Sequence, residues 1–298
     1  MIFPKKLKIG DKIGIISTAR KISLEELTPA IKMLESWGLN VVLGCNLLEK
    51  DNQFSGTIKQ RSADLQQMID DKSIKAILCA RGGYGTVQII DNIKFSNLRN
   101  NPKWIIGYSD ITVLHSHLNN LGIASLHATM PINFENNSIE SLQSLKNSLL
   151  GKSNRIECKS HAFNRLGKAD AEIVGGNLSI LYSLLGSNSD IDTEGKILFI
   201  EDLDEYLYHI DRMMMNLKRN GKLAKLKGLI VGGMKDMNDN EIPFGKSVEK
   251  IILEHTKKYD YPICFGFAAG HINDNRCIKL GVSSVLEINE NGVSLSQE

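Results

Sequence analysis

Cysteine is scarce and scattered: five residues, Cys45, Cys79, Cys158, Cys264 and Cys277, with no C-x-x-C pair. An odd, widely spaced set excludes a disulfide framework and a zinc ribbon. Cys79 and Cys264 fall inside apolar runs, where cysteine serves as a small buried hydrophobe. No window approaches the roughly 18 consecutive apolar residues of a membrane span. Charge of one sign is not in excess either, since 36 Lys+Arg against 34 Asp+Glu leave a net +2. The clustered base of a nucleic-acid binder is absent. No H-E-x-x-H and no His/Asp cluster offers metal-ligand spacing, so no metal is expected. The opening Met1-Ile-Phe-Pro-Lys-Lys-Leu-Lys8 has no apolar core of a signal peptide. The expectation is a soluble, cytoplasmic protein without membrane or nucleic-acid partners.

What is present is enough for a core. The 298 residues are 42% hydrophobic and 23% charged, which is not the composition of a disordered chain. At about 150 residues per domain the length suits two domains. Over residues 1–150, short apolar runs alternate with helical stretches: strands at Asp11–Thr18, Leu39–Leu43, Ile74–Ala80, Trp104–Tyr108 and Ile123–His127. Between them the pattern predicts helices from the capping box Ser23-Leu-Glu-Glu26 to Trp37, from Ser55 to Asp71, from Gly85, and from Asp110 to Asn120. Such alternation implies βαβ units and a mostly parallel α/β sheet, whose sites form beyond the carboxyl ends of strands.

Residues 151–170 are polar and weakly periodic and read as a linker. Residues 171–298 then mix helices near Asn177–Leu185, Tyr206–Arg219 and Ser247–Lys257 with strands at Ile197–Ile200, Leu229–Val231 and Ile263–Phe267. Three further strand-like runs, Cys277–Leu280, Ser284–Ile288 and Val293–Leu295, make this half a mixed β/α domain. Met213-Met214-Met215 lies within a helix and is expected to fill a core or an interface.

Arg81-Gly-Gly-Tyr-Gly85 ends the third strand, and its glycines allow positive φ and close backbone approach to an anionic oxygen. It is not a Walker A loop, and no G-x-G-x-x-G follows the first strand. Gly107-Tyr-Ser-Asp110 sits where a strand turns into a helix, the geometry of a nucleophile elbow. Ile111 stands where the hydrolase consensus G-x-S-x-G has glycine, and a strand-end Ser-Asp pair is also an ordinary N-cap. A nucleophilic serine needs a base and the base an orienting carboxylate. His209 and His255 fall on exposed-looking helices, whereas His271 follows Gly266-Phe-Ala-Ala-Gly270 in a turn. Glu201 closes the apolar run Ile197-Leu-Phe-Ile-Glu-Asp202, where an acid calls for a partner or caps the helix at Tyr206.

In order along the chain, several segments carry a resemblance. They are Gly10-Asp-Lys-Ile-Gly14, Arg61-Ser-Ala-Asp-Leu65, Arg81–Gly85, Gly107–Asp110, Gly175-Gly-Asn-Leu178, Ile200-Glu-Asp202 with Asp211-Arg212, and Gly270-His271. Together they resemble the LD-carboxypeptidases (muramoyltetrapeptide carboxypeptidases), serine peptidases related to the microcin-immunity peptidases. The resemblance implies an N-terminal flavodoxin- or amidotransferase-like α/β domain with a C-terminal swivelling β/α domain. It implies Ser109 as nucleophile, His271 as general base and Glu201 as orienter, with the amides of Gly83 and Asp110 as oxyanion hole. It further implies a cofactor-free homodimer that removes terminal D-alanine from murein peptides in the cytoplasm.

Arg81 and Asn177 are candidates for substrate binding, each with a structural alternative, and Arg212 and Glu135 are similarly open. Two other functions compete. One keeps the serine chemistry but cleaves an amide in a toxic peptide–nucleotide; the other is a non-catalytic, two-domain anion-binding protein.

Overall fold

The computed structural model describes residues 1–297. Its first sheet is built from β1 (Lys12–Ile16), β2 (Asn40–Leu43), β3 (Ile74–Cys79), β4 (Trp104–Gly107) and β5 (Ser125–His127). The helices between them are α1 (Leu24–Ser36), α2 (Ile58–Asp70), α3 (Ser96–Asn100) and α4 (Thr112–Asn120). α5 (Ile139–Leu149) leads into β6 (Asn154–Lys159), β7 (Gly167–Asn177), α6 (Leu178–Ser183) and β8 (Ile197–Leu203). The chain finishes with α7 (Leu207–Arg219), β9 (Gly228–Lys235), α8 (Val248–Thr256), β10 (Ile263–Cys264), β11 (Ile278–Leu280), β12 (Ser283–Asn289) and β13 (Gly292–Gln297).

Local chemistry sets the helix ends. Ser23 Oγ accepts the Glu26 N–H at 3.2 Å while the Glu26 carboxylate accepts the Ser23 N–H at 2.8 Å, closing the expected capping box on α1. Gly38, at φ +84, turns the chain left-handed so that the Leu39 N–H reaches back to Leu34 O at 3.2 Å. The helix expected from Gly85 is instead two one-turn 3-10 segments, Thr86–Gln88 and Ile90–Asn92.

The strand order of the first sheet is β11-β5-β4-β3-β1-β2, parallel except for β11, which pairs antiparallel to β5. Apolar side chains cover both its faces, which is why its strands read as unbroken hydrophobic runs. Cys79 and Cys264 are fully buried, and burial pushes the Cys79 thiol up to about 12. The second sheet runs β10-β9-β8-β7-β12-β13-β6, with β7 to β10 parallel and β12, β13 and β6 antiparallel. Met213 and Met214 fill the core against this sheet and Met215 is exposed.

Four elements were not visible in the pattern, the short α3 being the first. β6 lies within 151–170, the stretch that reads as a linker, because only Asn154 and Ile156 of this edge strand are fully buried. β7 hides its 11 residues by changing partner, antiparallel to β12 in its polar first half and parallel to β8 in its buried second half. α5 carries buried serines, Ser141, Ser144 and Ser148, on its inner face, which blurs the apolar period. No helix among the described residues is long and apolar enough to cross a membrane.

Candidate active site

Ser109 sits between β4 and α4 on a one-turn 3-10 segment, with φ +64. A non-glycine residue in this region costs on the order of 1–3 kcal/mol, and such strain clusters at functional sites. Gly107 makes the turn possible, since a Cβ there would come within 2.8 Å of Ile111 Cγ1. The glycine-rich loop after β3 closes over the serine: a Cβ on Gly82 would stand 3.0 Å from Ser109 Cβ and 3.1 Å from its Oγ. Gly83 follows at φ +109, and its N–H has no hydrogen-bond partner among the described residues.

The loop is clamped from beneath. The buried Arg61 donates through Nη1 to Thr18 O at 2.7 Å and Gly85 O at 2.9 Å, through Nη2 to Gln88 Oε1 at 2.8 Å, and through Nε to Gly56 O at 3.3 Å. Its guanidinium carbon lies 4.8 Å from the centre of the Phe54 ring. Asp110 adds a second tie, Oδ2 accepting the Thr86 N–H at 2.8 Å. Burial raises the Asp110 carboxyl despite the Thr86 bonds and the Arg61 charge. The segment carrying Gly83 and the residue after Ser109 are therefore held in one register by a hydrogen bond.

The other half of the site comes from the second sheet. Glu201 lies at the carboxyl end of β8, where the ladder to β9 shifts register between Ile200 and Asp202. Such irregularities re-aim side chains at functional sites. Glu201 is fully buried, and its Oε2 accepts both the ring Nδ1–H of His271 at 2.6 Å and the His271 backbone N–H at 3.1 Å. Gly270, at φ +106, permits this approach, because a Cβ would stand 2.7 Å from Glu201 Cβ. His271 Nε2 then faces Ser109 Oγ at 3.1 Å. With the carboxylate on Nδ1, the neutral ring keeps its proton there and Nε2 is left as acceptor for the serine hydroxyl. Burial pushes His271 down, but the charge and hydrogen bond of Glu201 outweigh it and, with Asp202, raise it above the ordinary histidine value. The neighbouring Asp202 is raised to about 7, first by burial and then by the Glu201 charge.

The structure thus brings Ser109, His271 and Glu201 into one hydrogen-bonded chain, with Gly83 and Asp110 beside the serine. The remaining candidates are engaged elsewhere. Arg81 Nη1 lies 3.7 Å from Glu26 Oε1 and 3.4 Å from Lys21 O. Asn177 caps α6 through Oδ1, which accepts the Ile180 N–H at 3.1 Å, and donates Nδ2–H to Asp202 at 2.9 Å. Arg212 lies over the Tyr208 ring, and Glu135 is exposed beside α1. His255, expected on an exposed helix face, is buried, with Nε2 2.9 Å from Asp211.

Residues 13–128 match the LD-carboxypeptidase N-terminal domain, and residues 170–286 the LD-carboxypeptidase C-terminal domain. A Bacillus subtilis protein named "Probable murein peptide carboxypeptidase" is 36% identical over 293 residues, spanning 96% of this chain and 92% of that protein. The chain belongs to the LD-carboxypeptidase family. Membership makes it a hydrolase of the carboxypeptidase kind and sets aside the non-catalytic alternative. The microcin C7 self-immunity protein MccF of Escherichia coli is 24% identical, over 98% of this chain and 95% of that one. The muramoyltetrapeptide carboxypeptidase structure from Oxalobacter formigenes superposes with a TM-score of 0.89 at 24% identity, covering 96% of this chain and 98% of that one. That likeness establishes the two-domain fold.

In this LD-carboxypeptidase the supporting residues were less legible than the central ones. Arg61 stands in a recognised segment, yet no spacing connects it to Gly85, which it grips across 24 residues. Asn275 accepts the Gly270 N–H through Oδ1 at 2.8 Å and so shapes the His271 turn. The same turn is pinned to the first half of the chain, with Asn273 O accepting the Ser138 N–H at 2.9 Å and Asp274 accepting the Ser138 hydroxyl at 2.9 Å. Only the cluster Asn273-Asp274-Asn275 beside His271 was a usable signal.

Proposed function

We propose that this protein is a serine-type LD-carboxypeptidase that releases the terminal D-alanine of murein tetrapeptides through an acyl-enzyme. What supports the reading is the continuous path from Ser109 Oγ through the His271 ring to the buried Glu201, joined across two sheets at 3.1 and 2.6 Å. His271 Nε2 takes the Ser109 proton as the oxygen attacks the amide carbonyl. Glu201 keeps the ring in the useful tautomer and stabilises the imidazolium. The N–H groups of Gly83 and Asp110 receive the tetrahedral oxyanion, a contribution worth about 2.7–4 kcal/mol per donor in other acyl-transfer enzymes. His271 returns the proton to the leaving amine, and water, deprotonated by the same nitrogen, hydrolyses the ester. The raised basicity of His271 suits it to the first step.

The cellular setting in this reading is the cytoplasm, with recycled murein peptides as substrate and the enzyme acting as a homodimer. Mass spectrometry of L-Ala-D-Glu-diamino acid-D-Ala incubated with the wild type and with Ser109→Ala tests it. Loss of D-alanine with the wild type alone is the expected result. An untouched tetrapeptide with Ser109 still open to a serine-reactive phosphonate would favour the second reading, to which the likeness to MccF lends weight. In that case the substrate is an amide of a toxic peptide–nucleotide conjugate.

A further inference from the structure

An enzyme that trims chain ends meets a free carboxylate one residue beyond the bond it cuts. Successive Cα atoms are about 3.8 Å apart, so that carboxylate lies close to the groups receiving the attacked carbonyl. Leaving it desolvated and unpaired would be costly. The cations on the two sides of the proposed site differ in what they already hold. Arg81 faces Glu26 and Lys21 O, Lys21 Nζ donates to Asn52 O at 2.8 Å, and Lys235 lies 3.8 Å from the Asp236 carboxylate. The Arg20 side chain has no hydrogen bond, ion pair or ring contact among the described residues.

Its position is nonetheless fixed. The Arg20 N–H donates to Gly82 O at 3.4 Å, and its carbonyl accepts the Ser17 hydroxyl at 2.6 Å. Its backbone also bridges Phe54. The side chain lies across Gly83: a Cβ at that glycine would stand 2.6 Å from Arg20 Cδ and 2.8 Å from its Nε. Gly83 is thus the residue that presents an unpartnered N–H and also makes room for a solvent-exposed guanidinium. A guanidinium stays charged at all working pH values and matches a carboxylate with two parallel N–H groups.

We propose that Arg20 binds the C-terminal carboxylate of the substrate and is the residue that confines this enzyme to chain ends. The proposal rests on the serine-carboxypeptidase reading and adds the specificity that reading leaves unassigned. Its position beside Gly83 places the anchor next to the proposed oxyanion hole, so substrate is registered from its end rather than along its length.

The test compares kcat/KM of wild type, Arg20→Gln and Arg20→Lys on a tetrapeptide with a free C-terminus and on the same peptide as its C-terminal amide. Arg20→Gln is expected to lower turnover of the free acid by about 10- to 100-fold, the range of a charge-assisted hydrogen bond. The amide should be unaffected, and Arg20→Lys should fall between. Equal losses on both peptides would overturn the proposal and make Arg20 a general electrostatic support, and no loss on either would also overturn it. If the wild type cleaves neither peptide, the hydrolytic reading has failed separately. The anchor is then read from protection of Ser109 against a phosphonate: protection by D-alanine but not by D-alaninamide, abolished in Arg20→Gln, supports it. Protection indifferent to the carboxylate or to Arg20 overturns it.

Discussion

On the N-terminal side of the site the polar groups brought together are one hydroxyl and backbone amides, held by glycines and by dihedrals that side chains avoid. On the C-terminal side they are ionisable side chains, Glu201, Asp202 and His271, held by burial. The first side stores its precision as local strain and hydrogen bonds to neutral carbonyls, as at Ser109 and Arg61. The second stores it as charge removed from water, where Coulomb interactions are strongest. Substitutions should therefore separate: on one side geometry fails, on the other the pH dependence moves.

Replacing Ser109 by glycine sharpens this contrast most. Turnover should fall by about 10⁴–10⁶-fold, as for removal of a serine nucleophile elsewhere. Relief of φ +64 should stabilise the fold by roughly 1 kcal/mol, seen as a higher midpoint in thermal denaturation. An unchanged or lower midpoint would show that the turn is not strained.

Glu201→Gln attacks the electrostatic side. We expect kcat to drop by about 10³–10⁴-fold, as when a triad carboxylate is made neutral. In the proposed mechanism His271 must be neutral to accept the serine proton, and Glu201 and Asp202 raise its pKa, so the wild-type acid limb of kcat/KM should lie above about 6.5. Loss of the Glu201 charge moves that limb to lower pH. Near-wild-type turnover would remove Glu201 from the mechanism.

Arg61→Lys keeps the charge and loses the fork. Carbonyls of Thr18 and Gly85 lose donors, which should cost about 2 kcal/mol of stability. If the clamp positions the loop carrying Gly83, kcat should fall by about 10-fold with KM little changed. Loss of stability with unaltered kcat would confine Arg61 to a structural role.

The smallest effect is expected at His127, which packs edge-on against Phe199 at 4.8 Å and near Tyr108, with neither ring nitrogen hydrogen-bonded among the described residues. Burial, then His115 and His271, hold it neutral well below the ordinary value. The unfolded chain therefore takes up the proton first, and stability falls as pH drops below about 6.5. His127→Leu should leave activity unchanged, raise stability by about 1 kcal/mol and lessen this acid loss. A fall in activity would show that the ring bears on His271.

Much of the first sheet could be read in advance because its strands are buried on both faces and so appear as apolar runs. β6 and the first half of β7 could not, since half-exposed strands mix polar residues into the alternation. At the site, Glu201 stood out as an acid closing an apolar strand, Ser109 as a serine at a strand-to-helix turn and His271 as a histidine in a glycine-flanked turn, but each pattern also fitted an ordinary cap or turn residue.

The amino-acid sequence alone determined the alternation of elements, the turns that need Gly38, Gly107 and Gly270, and the segments that carry the family likeness. These depend on residues a few positions apart, through propensity, period and allowed φ. Tertiary structure alone decided that β11 closes the first sheet, that Arg61 grips Gly85, and that His271 meets a serine 162 residues away at 3.1 Å. Such contacts depend on how two cores settle against each other, and burial energies are non-directional, so no local pattern encodes the partner.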